Sequence, residues 1–341
     1  MHYSDYLELE KILDAQHPES DRQGEPAHDE MLFIIIHQTY ELWFRQLLYE
    51  TDSVIGILGQ PALNDNSPEL QTIVHRLSRC ATILKVLVHQ IDIMETMTPM
   101  DFLDFRDRLR PASGFQSTQF KLLEARLGLK YEQRFGQQYY ISQLRQPEID
   151  RVKTVENEPS LLQLLNNWLE RMPFFDPPAS GAFWTDYRLR YQQSLADAEK
   201  GNSAYFDSIF SQASAAASPA NSEATGKPAR ALSPAACRSA LFIMLYRGYP
   251  LLQLPFQVLN QLLEIDEQLS TWRYRHMSMV HRMIGSRIGT GGSTGKDYLG
   301  SALERHHIFR EIAALTSFLI ERKRLPALDP EMERRLGFVA P

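Results

Sequence analysis

Cysteine is almost absent from this sequence: 341 residues hold two, Cys80 and Cys237, far apart and outside any CxxC spacing. That excludes a disulfide framework and a thiolate zinc site, and fits a reducing compartment. Long apolar runs are missing too. The longest, such as Met31–Ile36, fall far short of the roughly 20 residues that a membrane helix needs. The N-terminal MHYSDYLELEKIL is acidic and amphipathic, with neither the basic start nor the apolar stretch of a secretory signal. There is no surplus of positive charge: 36 Lys+Arg against 42 Asp+Glu gives a net charge of −6, without a basic cluster to seat nucleic acid. Strand signals are scarce, with few alternating Val/Ile/Thr runs and no Asn-Gly hairpin. These absences point to a cytoplasmic protein with no membrane and no nucleic-acid partner.

What is present is helical periodicity. At 43% hydrophobic and 23% charged residues, the chain can bury a substantial core. Tyr6, Leu7, Leu9 and Ile12 predict a short first helix, followed by a polar loop over 17–25. Long helices are expected over 28–58 and 70–97, and Thr98-Pro99 starts a shorter one that ends near Pro111. Helix resumes over 115–127, 161–169 and 183–200, with a charged connector over 147–159 and a proline-rich turn over 173–181. A further helix covers 236–265, bent or interrupted at Gly248-Tyr249-Pro250 and near Pro255. Residues 211–234 are biased to Ala and Ser and nearly free of large apolar side chains. They read as a mobile surface insertion, with a domain linker as the competing reading. The expectation is an all-α chain forming one domain over 1–341.

The richest stretch is Trp272–Gly295, WRYRHMSMVHRMIGSRIGTGGSTG. Met277, Val280, Met283 and Ile284 recur at helical spacing; then Gly289, Gly291, Gly292 and Gly295 forbid continuation, and Thr290, Ser293 and Thr294 supply hydroxyls. A helix histidine, His276, thus runs into a loop suited to an anionic or zwitterionic ligand. The glycine spacing matches neither a P-loop nor a dinucleotide fingerprint. His281 stands five residues from His276, roughly 140° around a helix. The two cannot readily ligate one metal from one side, and the spacing does not choose between them.

Two earlier segments add side chains. In MLFIIIHQTYELWF, Phe33 and His37 are four apart and share a helix face, an aromatic wall beside one hydrogen-bonding imidazole; core packing is the alternative. In TPMDFLDFRDRLRPASGFQS, Phe102 and Arg106 repeat that spacing, now with a guanidinium able to grip a carboxylate by two parallel bonds. A surface ion pair with Asp104 or Asp107 is the alternative for Arg106.

Together these strings, with YSDYLELEKIL and LFIMLYRGYPLLQLPFQVL, resemble the tryptophan 2,3-dioxygenase family, in that family's order along the whole chain. The resemblance implies a helical bundle enclosing haem b, ferrous in the active state, with His276 as the proximal iron ligand. It places His37 as the distal histidine that accepts the indole N–H, Phe33 and Phe102 as pocket walls, and Arg106 on the substrate carboxylate. Thr290 would contact the substrate ammonium and carboxylate, and Ser113 would sit in the turn beside the haem. Tyr3 and Tyr6, within residues 1–27, would reach into a neighbouring subunit's site of a homotetramer. The implied reaction cleaves the indole C2=C3 bond of L-tryptophan with O2, giving N-formyl-L-kynurenine. Neutral His37 can accept the hydrogen bond of the indole N–H and protonated His37 cannot, so activity is expected to fall on acidification.

Some positions depart from the family pattern: Thr294 for serine, Gly300 and Ala302 for an arginine and a hydroxyl residue, and Phe102 where some bacterial members have tyrosine. The stretch LSPAACRSA is also atypical. These bear on substrate preference. Two rival readings follow: a relative in secondary metabolism that adds one oxygen to a substituted indole, and a non-catalytic haem-binding sensor.

Overall fold

The computed structural model describes residues 1–64, 67–131, 144–172, 179–210, 230–287 and 306–337. Among them all regular structure is helical and no strand occurs, as the periodicity predicts. The expected first helix is two, α1 (Tyr3–Leu7) and α2 (Leu9–Leu13), separated by Glu8 at a left-handed φ of 52°. The predicted loop over 17–25 contains a short α3 (Glu19–Arg22), held by the buried Glu30 carboxylate, which accepts the N–H groups of Glu19 and Ser20 at 2.8 Å each.

Then come α4 (Asp29–Leu58), α5 (Pro68–Met94), α6 (Pro99–Arg106) and α7 (Thr118–Leu127). Helix α6 starts as its sequence dictates. Thr98 accepts from the Asp101 N–H, Asp101 returns the bond to the Thr98 N–H, and Pro99 occupies the first turn, where its missing donor costs nothing. The charged connector expected over 147–159 is instead mostly α8 (Gln146–Glu156). Its apolar face is only Ile149, Val152 and Val155, a stripe too thin to stand out among the surrounding charges.

The remaining helices are α9 (Leu161–Glu170), α10 (Ala179–Ser194), α11 (Gly201–Phe210), α12 (Pro234–Leu245), α13 (Pro250–Ile284), α14 (Arg310–Ala314) and α15 (Pro330–Leu336). The interruption predicted at 248–250 is the break between α12 and α13. Pro255, however, stops nothing: α13 carries it internally and runs 35 residues in all, taking in the whole WRYRH segment.

Packing divides the chain into two compact units. The first comprises Met1–Glu50, Cys80–Glu158 and Glu267–His307. Its core gathers Ile36, Met94, Met97, Phe105 and Met283, with Phe33, Tyr40, Phe102 and Met279 packed against them. The second comprises Thr51–Arg79, Pro159–Asp266 and Ile308–Pro341. There the amphipathic α9 buries Leu161, Leu165, Trp168 and Leu169, and α10 to α12 contribute a dense aromatic set. In that set Tyr191 stacks on Phe206 at 5.1 Å and the Tyr187 hydroxyl donates to the Phe318 carbonyl.

Most of the Ala/Ser-rich stretch, 211–229, lies outside the described residues. Its last few residues are firmly held. The N–H groups of Ala231 and Leu232 donate to the Glu311 carboxylate at 2.8 and 3.0 Å, Ser233 donates to Asn166, and Leu232 is buried.

Candidate active site

A cavity in the first unit takes in about 670 Å³ of empty space, the open solvent at its mouth included. Helix α4 lines it with His37, Tyr40, Glu41 and Phe44, at spacings that put all four on one face. From α13 come Trp272, His276 and Met279, again one face. Ile91 and Met94 of α5, Gly114 and Ser117 of the turn before α7, and Phe120 of α7 complete the wall.

His37 has a defined tautomer. Its Nδ1 lies 2.7 Å from the Phe33 carbonyl oxygen, which can only accept, so Nδ1 carries the proton and Nε2 presents a lone pair. Desolvation by the surrounding protein lowers its pKa below 6.5, against the opposing pull of the Phe33 carbonyl and the Glu41 charge. The residue nonetheless keeps an exposed edge at the open side.

His276 is packed differently. Its ring stacks on Trp272 at a centroid distance of 5.2 Å, and its buried Nδ1 has no hydrogen-bond partner among the described residues. Burial first, and the proximity of His37 second, push its pKa down to about 4, so the imidazole is neutral at ordinary pH. Trp272 is held in turn by Phe120 at 5.0 Å, Tyr40 at 6.1 Å and Phe44 at 6.4 Å. Tyr40 donates to the Leu87 carbonyl at 2.7 Å, and burial raises its hydroxyl to about 12. His281 is exposed, so of the two candidate histidines only His276 faces the cavity.

The other sequence candidates extend outward from this wall. Phe33 lies 4.1 Å from the His37 ring and 5.8 Å from Phe102, forming an aromatic row. Arg106 is buried on α6, one turn beyond Phe102, and is not itself among the lining residues. Ser113 directly precedes Gly114, and its hydroxyl accepts from the Phe115 N–H at 3.3 Å, shaping the turn. Tyr3 and Tyr6 are each 70% exposed on α1. Thr290, with Thr294, Gly300 and Ala302, lies outside the described residues.

Sequence reasoning left out Tyr40, Glu41, Phe44, Ser117, Phe120 and Met279 as site residues. Tyr40 and Phe44 continue the Phe33–His37 stripe and were accessible from periodicity. Ser117 and Phe120 reach the cavity only through the packing of α7.

The family profile described as Tryptophan 2,3-dioxygenase matches residues 1–319. The chain belongs to the tryptophan 2,3-dioxygenase family. It is 42% identical to the tryptophan 2,3-dioxygenase of Alteromonas mediterranea, over 99% of this chain and 97% of the relative. Identity is 40% to that of Bdellovibrio bacteriovorus, over 99% and 98%, and 40% to that of Dictyostelium discoideum, over 99% and 88%. Homology along nearly the full length covers every tryptophan 2,3-dioxygenase motif noted in the sequence, including those outside the described residues.

Proposed function

We propose that the chain is a haem-dependent tryptophan 2,3-dioxygenase that converts L-tryptophan and O2 to N-formyl-L-kynurenine, working as a cytoplasmic homotetramer. The observation that carries the haem reading is His276: a neutral imidazole with a buried nitrogen, unpartnered among the described residues, on the wall of a largely apolar cavity. An imidazole in that state is chemically ready for iron, because ligation needs a lone pair and no competing proton. The residues present therefore fit the group. When bound, haem iron supplies the activation of dioxygen, chemistry that no side chain here provides.

The chain's own contribution is orientation and exclusion of water. His37 Nε2 accepts the indole N–H, in the tautomer that the Phe33 carbonyl imposes. Phe33 and Phe102 offer flat apolar surface to the indole ring. Arg106 binds the substrate carboxylate, Thr290 the ammonium and carboxylate, and Ser113 holds the turn beside the cofactor. Exposed Tyr3 and Tyr6 cover a neighbouring subunit's site. The family match over residues 1–319 supports treating both units as one functional domain, 1–341.

The test is single-turnover and steady-state assay of haem-loaded, reduced protein with L-tryptophan under isotopically labelled dioxygen. Two labelled oxygen atoms in one product molecule support the reading. One labelled atom would make the protein a mono-oxygenating relative; full haem loading with no turnover of any indole amino acid would make it a sensor.

A further inference from the structure

His276 and Trp272 face the cavity, but what sets the rotation of α13 lies on the neighbouring sides of the helix. Arg273 is buried. Its guanidinium donates to Glu124 Oε1 at 2.7 Å and to the His306 carbonyl at 3.2 Å. Glu124 is itself buried on α7, and His306 Nδ1 lies 3.7 Å from the same carboxylate oxygen. Arg273 and His276 stand three positions apart on the helix, placing their side chains about 60° apart around the axis. On the other side Arg275 reaches Asp92 at 2.6 Å and Glu95 at 3.2 Å, but these pairs are only half-buried and more weakly directing than the buried one.

A buried ion pair is a poor source of net stability, since desolvation offsets most of the Coulomb gain. Its value is geometric. A charge-assisted hydrogen bond has a narrow range of length and direction, whereas apolar contacts between helices allow slippage. Glu124 stands one turn from Phe120 on α7, and the Phe120 ring lies 5.0 Å from Trp272. The polar pair and the aromatic contact therefore lock the same two helices at adjacent turns.

The geometry points to Glu124 and Arg273 as positioning residues for His276. The pair sets the rotation of α13 and with it the direction in which the imidazole meets its iron, and through the His306 carbonyl it ties the chain at residue 306 to the same register. This rests on His276 being the iron ligand.

The decisive variant is Glu124→Leu with Arg273→Met, which removes both charges and leaves neither one stranded in the interior. Haem release is followed by transfer to a scavenging apo-globin, axial ligation by the ferric and ferrous absorption spectra, and folding by thermal melting of the full-length protein. The double variant is expected to melt near the wild type, to release haem about tenfold faster, and to show altered axial-ligand bands, with kcat falling more than KM rises. Wild-type release rate and spectrum in a folded double variant would overturn the proposal. If the double variant does not fold, Glu124→Gln is compared with Leu122→Ala, a core truncation on the same helix. Faster haem release in Glu124→Gln at equal melting temperature supports positioning, and equal release rates overturn it. His276→Ala separates the two levels: wild-type haem spectra in that variant would remove the ligand assignment itself, whatever the charge pair does.

Discussion

Trp272 lies face to face with His276, the two ring planes 10° from parallel. The indole covers one side of the imidazole along the same helix, four residues upstream, and blocks rotation of the ring. Such stacked pairs are worth roughly 0.5–1.5 kcal/mol beyond the area they bury. Trp272→Ala should therefore destabilise the fold by about 3 kcal/mol and hasten haem loss, while Trp272→Phe keeps most of both. Melting curves and haem-transfer rates check this. Equal haem release from the Ala and Phe variants would contradict a role for the stacked ring.

The pH dependence follows from His37. In the proposed role its neutral form accepts the indole N–H, and desolvation holds its pKa below 6.5, so acid must go past that value before the acceptor is lost. A profile of kcat/KM should stay level as pH falls to 6.5 and decline only below it. A decline centred at or above pH 6.5 would contradict the assignment, as would His37→Ala with an unchanged profile.

Arg106 is buried on α6, one turn from Phe102, the position proposed to meet the substrate carboxylate. Arg106→Lys keeps the charge but loses the planar two-point grip. The expected result is a KM for tryptophan raised about tenfold to a hundredfold with a smaller change in kcat, matching a lost charged hydrogen bond of roughly 1.5–3 kcal/mol. Tryptamine, which has no carboxylate, should be affected far less. Equal losses on both substrates would detach Arg106 from carboxylate binding.

Tyr3 and Tyr6 separate stability from activity. Both are largely exposed within the single chain, so replacing them with Ala should cost the subunit's own fold no more than about 0.5 kcal/mol. If they cover a neighbouring subunit's site, KM for tryptophan rises all the same. An unchanged KM in a protein of unchanged size in solution would sink that role.

The fold was legible where apolar stripes were broad. Helices α4, α5 and α9 appear within a few residues of their predicted ends because each buries a wide face. Helix α8 was missed because three β-branched residues are its entire apolar face. At the site, His37, Phe33 and His276 were readable from four-residue spacings and from the family motifs, and Trp272 entered as part of the WRYRH string. The choice of His276 over His281 was not readable from spacing; it depends on which side of α13 meets α4, a tertiary matter. The Glu124–Arg273 pair joins residues 149 positions apart, and nothing local in either segment announces it.

The bond that fixes the His37 tautomer ends on a main-chain oxygen. Side-chain acceptors are open to replacement in a single codon change, and a histidine oriented by one inherits that fragility. A carbonyl is present whatever residue stands at position 33. Drift at position 33 can thus reshape the pocket wall and alter which indole fits, while the hydrogen-bond sense of His37 is carried over unchanged. Substrate preference and proton bookkeeping sit on one helix turn yet are free to evolve apart.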